Sequence, residues 1–447
     1  MVTVQMVKDW EKILQTLHER IGERFARSEP RQRAYNYLKG ILSDVGRKNG
    51  WQLAEQAGEE RPYGMQRLLR SAAWDEEGVR DDLREYVVEE LGTEQAVLVL
   101  DDTGFVKKGE HSVGVSRQYS GTPGGIDNCQ VGVFLAYSTP GGHALIDRAL
   151  YVPKAWLEDK ARSQEAHLPS DLAYTKKTQL GRTLLERALA AKVPHNWVVA
   201  DALYGDDRKL REWLQAQRQW YVLGITRNHM LAYEGYRQRF DEIAASLPPS
   251  AWQSLSCGEG TKGERLYEWA MVSWRNWNYG EDELHAFLVR RNLLDPTDEA
   301  YFRVFAPAGT SMQTLVEVVG RRWTVEECFE LAKGEVGLDH YEVRTWRAWY
   351  RFITLAMLAF AFLAVIRHSV QQLDAEKKMR LRCLFGFPCL RSAAYCLGCC
   401  GWSNPLFDAS WLGPAGAERI NWQPNALTFV VNSAFSAHSS ALRYVTL

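Results

Sequence analysis

Two apolar segments of this chain end in aspartate, and this pattern constrains the fold more than any other feature of the sequence. Residues 97–100 are apolar throughout and lead into Asp101 and Asp102, and residues 197–200 lead in the same way into Asp201. Continuous apolar runs of this length are typical of strands buried on both faces of a sheet. A carboxylate at the end of such a strand is costly unless something binds it. The pattern therefore predicts a sheet that brings distant acids to a common edge.

The elements around these runs follow an informative order. Hydrophobic periods and flanking glycine or proline residues predict a strand at 97–100, a hairpin formed by 111–119 and 128–137, a strand at 144–152, a helix at 178–191, a strand at 197–200, a helix at 207–217 and a strand at 220–225. This order indicates an α/β fold in which helices pack on a mixed, RNase H-like sheet.

The chain is predicted to divide into five regions. They are a helical domain at 1–95, the first part of the core at 96–232, a β-rich insertion at 233–311, the second part of the core at 312–378 and an atypical tail at 379–447. Within the first region Asp75 is a predicted helix cap. Basic residues in that region indicate either a DNA-binding domain or an ordinary solvated face; they are Arg31, Arg33, Lys39, Arg47 and Lys48.

The tail differs in composition from the rest of the chain. Charged residues become rare after about residue 379, while cysteines crowd together at positions 383, 389, 396, 399 and 400. We interpret the tail as a frameshifted or otherwise non-native C-terminus. The alternative is a cysteine-rich module, but Cys396 and Cys399 form a lone pair at zinc-ligand spacing, and a structural zinc site needs a second well-spaced pair.

Charge and hydropathy exclude some classes of protein. The formal net charge is −1, so whole-chain charge gives no argument for a polyanionic partner. The first 23 residues are mixed and charged, unlike a secretory signal, so a cytoplasmic location with reduced thiols is expected. The apolar run 352–366 has only 15 residues, fewer than the roughly 20 that a spanning helix needs. We therefore predict a buried helix and no membrane contact.

A third acid, Glu326, lies on a predicted helix. Thr324 and Glu327 have the spacing of a capping box, which would place Glu326 in the first turn, where the helix dipole favours a carboxylate. Arg322 precedes Glu326 by four residues and Lys333 follows it by seven. Carboxylate oxygens are the ligands that Mg²⁺ prefers, and nearby cations suit an approaching phosphate backbone. These residues predict a site for metal-dependent phosphodiester chemistry.

Together these residues resemble the DDE transposases of bacterial cut-and-paste insertion sequences. The third acid of that family lies in a Tyr-x2-Arg-x3-Glu-x6-Lys signature, which this chain matches except that Val319 replaces the tyrosine. Residues 100–104 and 200–205 resemble the first and second acid motifs of that family, and residues 117–121, 128–133 and 337–344 resemble the insertion sequence 701 family. The resemblance covers roughly residues 30 to 370, and several motifs in the right order are more specific than any single one.

The resemblance implies an RNase H-like catalytic domain interrupted by a β insertion. It implies a Mg²⁺-dependent transposase, tolerant of Mn²⁺, that cleaves element ends and joins the 3′-hydroxyl to target DNA. Its metal ligands would be Asp101, Asp201 and Glu326, with Asp102 as the alternative first acid, and its phosphate contacts Arg322 and Lys333. The implied partners are double-stranded DNA, as terminal inverted repeats and target, and a second copy of the chain. The alternative is a decayed or domesticated DNA-binding protein.

Overall fold

Helices form the N-terminal part of the chain, as predicted. The computed structural model describes residues 4–121, 124–233, 236–260, 263–274 and 280–384. The first helices are α1 (Val4–Arg20), α2 (Ser28–Ile41), α3 (Gly50–Gln56), α4 (Tyr63–Arg70) and α5 (Glu76–Leu91), with a 3-10 turn at Ile21–Arg24. Asp75 caps α5 by accepting hydrogen bonds from the amides of Glu77 and Gly78, which confirms its predicted role.

The central sheet is mixed, and helices flank it. Its first six strands are β1 (Val97–Val106), β2 (Ser116–Ser120), β3 (Gly125–Thr139), β4 (Gly142–Tyr151), β5 (Trp197–Ala200) and β6 (Tyr221–Ile225). Strand β3 lies between β4 and β1, both antiparallel to it, whereas β1, β5 and β6 are parallel neighbours. The mixed α/β architecture predicted from the element order is therefore confirmed.

Strand β1 is longer than predicted. Residues 97–100 were expected to end the strand, but β1 continues through Asp101 and Asp102 to Val106. The reason is the long partner β3, which pairs with β1 along its whole length, whereas β5 pairs with β1 only as far as Leu100 and Ala200. The two aspartates therefore lie inside a strand at the point where its neighbour β5 stops.

Helices connect and cover the strands. They are α6 (Lys154–Glu158), α7 (Lys160–Glu165), α8 (Lys177–Ala190), α9 (Ala202–Gly205) and α10 (Arg208–Ala216). The short helix α9 packs directly against β6, because a Cβ atom on Gly205 would lie 1.7 Å from the carbonyl oxygen of Gly224. Only glycine permits this approach, which fixes the turn that follows Asp201.

The predicted β-rich region contains strands that extend the same sheet. Its elements are β7 (Met230–Tyr233), β8 (Tyr236–Arg239), α11 (Phe240–Ser246), a 3-10 turn at Pro249–Ala251, β9 (Gln253–Gly260), β10 (Gly263–Ser273), β11 (Glu283–Arg291) and β12 (Glu299–Pro307). Strand β12 pairs antiparallel with β6, and β11, β10 and β9 follow outward. Trp269 is fully buried in the core, whereas Trp277 lies outside the described residues. The domain boundaries themselves stay predictions.

Three helices complete the described chain: α12 (Met312–Arg321), α13 (Trp323–Val336) and α14 (Trp346–Leu384). Among the described residues, α14 alone is long and apolar enough to span a membrane by length and composition, over the 28 residues Trp346–Leu373, but 89% of its most apolar window is buried. The predicted buried helix is confirmed, while the length argument was wrong because the apolar stretch begins before residue 352.

The predictions for a frameshifted tail or a zinc module concern residues 385–447, which lie outside the described residues.

A buried arginine on α14 connects it to the N-terminal helices. The fully buried Arg351 donates to Glu76 at 3.1 Å and to the carbonyl oxygens of Ala72 and Trp74 at 2.7 and 3.1 Å. We expect Arg351→Met to lower the free energy of unfolding by about 3–5 kcal/mol, since it leaves buried acceptors unpaired. Arg347 is 56% exposed and pairs with the same Glu76, so Arg347→Met should lower the free energy of unfolding by only about 0–1 kcal/mol. Urea unfolding measures both, and equal small losses would contradict the burial argument.

Candidate metal centre

Three aspartates lie close together where β1 passes the end of β5. Asp101 and Asp102 follow Leu100 on β1, and Asp201 follows Ala200, the parallel-strand partner of Leu100. Asp201 caps α9, and its side chain accepts a hydrogen bond from the amide of Leu203 at 3.0 Å. The sequence prediction that these acids meet at one place in the sheet agrees with this geometry.

Burial and neighbouring carboxylates raise the pKa values of Asp101 and Asp201. Burial, followed by the charges of Asp201 and Asp102, raises the pKa of Asp101 from 3.8 to about 8, although Arg322 and the Asp102 amide oppose the change. Burial and the charge of Asp102 likewise raise the pKa of Asp201. Close, buried carboxylates cannot all ionise without a compensating cation. The cluster therefore favours the binding of positive charge.

Asp101 and Asp102 have different partners. Lys177, at the start of α8, lies 3.1 Å from Oδ1 of Asp102, and the hydroxyl of the buried Tyr204 donates to its Oδ2 at 3.4 Å. Oδ2 of Asp101 instead lies 3.9 Å from Nη1 of Arg322. Asp101 therefore faces the helix that carries Glu326, whereas Asp102 is neutralised by a lysine on another helix.

Glu326 reaches this cluster through Arg322. It lies in the first turn of α13, its side chain is 51% exposed, and its Oε1 accepts a hydrogen bond from Nη2 of Arg322 at 2.8 Å. The predicted position in the first turn is correct, but the predicted capping box is wrong. Helix α13 begins at Trp323, and the hydroxyl of Thr324 donates instead to the carbonyl oxygen of Arg321 at 2.7 Å.

Lys333 joins α13 to the strand that bears the aspartates. Its Nζ donates to the hydroxyl of Thr103 at 2.8 Å and to the carbonyl oxygen of Gly104 at 3.3 Å. Burial lowers its pKa. These bonds hold α13 in register with β1 two residues beyond Asp101, a structural role that the sequence spacing did not predict.

The carboxylates are chemically suited to a divalent cation, but their oxygens are not arranged around one point. Within the described residues, no group of three or more His, Cys, Asp or Glu side chains is arranged to hold a metal ion as it stands. Asp101 and Asp201 are nevertheless hard oxygen donors, and a bound cation would favour their ionised forms, which burial and neighbouring carboxylates disfavour. Glu326 is connected to Asp101 by the guanidinium of Arg322. These three acids are the residues that could hold the ion.

Sequence reasoning missed two residues of the site. Lys177 neutralises Asp102, and Tyr204 is buried against all three aspartates, whose charges reinforce burial in raising its pKa well above the usual value. Tyr204 lies in the motif after Asp201 and could have been singled out there. Lys177 has no local signal, because its contact is formed 75 residues away in the chain.

The raised pKa of Asp101 predicts a pH dependence of stability. In EDTA, the free energy of unfolding should fall as pH rises from about 4, where the unfolded chain ionises, to about 8, where folded Asp101 does. The folded state holds the proton more tightly across that window, so deprotonation opposes folding. Between pH 5 and pH 8, Asp101→Asn should lose about 2–4 kcal/mol less of its free energy of unfolding than the wild type does. Urea unfolding at the two pH values measures it, and equal losses in both proteins would exclude the effect.

Comparison with known proteins gives one family and two curated relatives. The family model described as DDE superfamily endonuclease matches residues 20–276, more than half of the chain, including Asp101, Asp102 and Asp201 but ending before Glu326. A probable transposase for insertion sequence element IS701 from Microchaete diplosiphon is 29% identical over 205 residues, 44% of this chain and 49% of that protein.

A second curated relative has a different description. A fibrillarin-like rRNA/tRNA 2'-O-methyltransferase from Pyrobaculum calidifontis is 32% identical over 98 residues, which are 22% of this chain and 41% of that protein. The chain thus spans no more than about half the length of the curated relatives it matches. The longer similarity agrees with the family model and with the clustered aspartates. The chain belongs to the DDE superfamily of endonucleases.

Proposed function

We propose that this protein is a DNA transposase that cleaves the ends of an insertion element and joins the freed 3′-hydroxyl to target DNA. The observation that carries the proposal is the cluster of Asp101 on β1 and Asp201 at the end of the neighbouring parallel strand β5, with Asp101 connected to Glu326 by Arg322. Two further observations support it: the similarity to the IS701 transposase, and the strand order β4-β3-β1-β5-β6, which has the mixed pattern expected of an RNase H-like core.

In this proposal Asp101, Asp201 and Glu326 are the metal ligands. Asp101 is preferred over Asp102 because Asp102 already has Lys177 as its counter-ion. Bound Mg²⁺, or Mn²⁺ in its place, would supply an activated water and stabilise the leaving oxygen of the phosphodiester. The burial of Asp101 and Asp201 keeps their carboxylates poorly hydrated, which strengthens their attraction for a cation.

Arg322 and Lys333 are the proposed phosphate contacts. Both now bond protein oxygens, Arg322 those of two acids and Lys333 those of Thr103 and Gly104. Binding DNA would therefore require them to exchange these partners for phosphate oxygens. Arginine suits this exchange, since its planar fork binds phosphate in two-point geometry.

The proposed partners are double-stranded DNA, as terminal repeats and target, and a second copy of the chain, with the bacterial cytoplasm as the location. The N-terminal helices are the proposed DNA-end-binding region. Part of their basic surface is already paired, since Arg33 lies 3.5 Å from Glu29 and Lys39 lies 4.0 Å from Glu11. Trp51 is 54% exposed and is available for contact, and Arg47, four residues before it, is exposed as well.

Labelled duplex DNA carrying the ends of the encoding element tests the proposal. With Mg²⁺ the full chain should cut one or both strands at the element boundary, and with EDTA it should not. Binding to the ends without cleavage under any divalent cation would favour a decayed or domesticated DNA-binding protein instead.

A further inference from the structure

The guanidinium of Arg322 lies between two of the three proposed metal ligands. Nη2 is 2.8 Å from Glu326, and Nη1 is 3.9 Å from Asp101. The side chain is 21% exposed and lies over the ring of Trp323 at 5.3 Å. One cation therefore interacts with carboxylates that come from two separate elements, β1 and α13.

The backbone of Arg322 is held by hydrogen bonds, whereas its side chain is 21% exposed. Arg322 lies between α12 and α13, where its amide donates to Val319 at 3.0 Å and its carbonyl oxygen accepts from Val325 at 3.3 Å. Motion of the guanidinium needs only rotation of the side chain. Because the carboxylates must be free to coordinate a metal ion, the ion and the guanidinium compete for the same oxygens.

Resting on the function proposed above, we infer that Arg322 is an internal counter-cation that closes the metal centre in the metal-free protein and must leave before a divalent ion binds. Among the described residues, this guanidinium is what connects Glu326 to Asp101. Apparent metal affinity is then lowered by the fraction of molecules in which the centre is open.

The competition also connects metal binding to DNA. Phosphate oxygens bind a guanidinium well, so a DNA strand at the site would draw Arg322 away from Asp101 and Glu326. The open centre would then bind metal more tightly, and by reciprocity the metal would strengthen DNA binding. The active centre would thus be completed where its substrate is already present.

Mn²⁺ binding to the DNA-free full chain, followed by electron paramagnetic resonance of the free ion, tests the inference without measuring activity. If the centre is open in about a tenth of molecules, Arg322→Met should bind Mn²⁺ about tenfold more tightly than the wild type. A matched control is Arg182→Met: Arg182 also pairs with a glutamate four residues on at 2.8 Å and lies 5.0 Å over a tryptophan ring, that of Trp213. The Kd of Arg182→Met for Mn²⁺ should stay within about twofold of the wild-type value.

Asp201→Asn separates the possible failures. If Mn²⁺ binding depends on Asp201 but Arg322→Met does not tighten it, the counter-cation role is wrong and the metal centre stands. If no Mn²⁺ site depends on Asp201 in either background, the metal centre fails and this inference fails with it. Circular dichroism in EDTA checks folding, and Arg322→Gln replaces Arg322→Met if the apolar side chain prevents a cooperative melt.

Discussion

Asp201→Asn should reduce the single-turnover rate of DNA strand cleavage in Mg²⁺ by at least about 10³-fold, while binding of the same DNA changes little. Asn retains the side-chain oxygen that accepts the amide of Leu203, and it is as good a helix cap as aspartate. The substitution therefore removes the negative charge from the centre without removing the local structure. A loss of about 4 kcal/mol of transition-state stabilisation corresponds to this rate change.

Asp159→Asn is the matched control for this prediction. Asp159 also caps a helix, α7, and accepts the amide of Arg162 at 3.0 Å. The Asp159→Asn variant should cleave DNA at close to the wild-type rate, because the carboxylate of Asp159 is not part of the aspartate cluster. Cleavage by Asp201→Asn at more than about a tenth of the wild-type rate would remove Asp201 from the proposed ligand set.

Glu326→Gln should cause a loss of cleavage of similar size, about 10³-fold, with little change in stability. Its side chain is half exposed, and its bond to Arg322 is an i,i+4 pair on a helix, a kind of interaction worth only about 0.3–0.5 kcal/mol. The effect on cleavage must then come from the chemistry of the carboxylate. Paired measurements of cleavage rate and urea unfolding separate the two.

The neighbouring Glu327 supplies the control. It has the same residue type and a similar exposure of 54%, but it lies 3.8 Å from His143 and away from the aspartates. Glu327→Gln should cleave DNA within about threefold of the wild-type rate. Equal losses of cleavage rate in the two variants would contradict coordination by Glu326. They would mean that negative charge near the N-terminus of α13, interacting with the helix dipole, is what matters.

The parts of the fold that the sequence predicted are those that local patterns determine. Apolar residues 97–100 and 197–200 indicated buried strands, and those strands are parallel neighbours with Leu100 opposite Ala200. Asp75 was recognised as a helix cap from its residue type and its position before α5. The meeting of Asp101 with Asp201 followed from the same reasoning, because neighbouring parallel strands present their carboxyl ends at the same edge of the sheet.

Errors arose where a partner strand or an adjoining helix overrides the pattern of the segment itself. Strand β1 continues past its predicted end because β3 still pairs with it. Thr324 has the spacing of a cap but bonds Arg321, because Arg322 lies at the junction of two helices and already has helical backbone angles.

Several contacts within the site could not be predicted from local sequence patterns, because their partners are far apart in the chain. Lys177 meets Asp102 across 75 residues, and Lys333 meets Thr103 across 230. The spacing of Arg322, Glu326 and Lys333 indicated a phosphate-facing helix surface. It gave no sign that the guanidinium lies between acids from separate elements, since that arrangement depends on how α13 packs against β1.

The most direct measurement is the position of Mn²⁺ in a crystal of the protein, located by its anomalous scattering. We expect a peak within coordination distance, about 2.0–2.3 Å, of carboxylate oxygens from Asp101, Asp201 and Glu326, with Arg322 turned away. A peak bound by Asp102 in place of Asp101 would move the first ligand by one residue. Saturating Mn²⁺ with no peak at Asp201 would contradict the central claim that these acids form one metal centre.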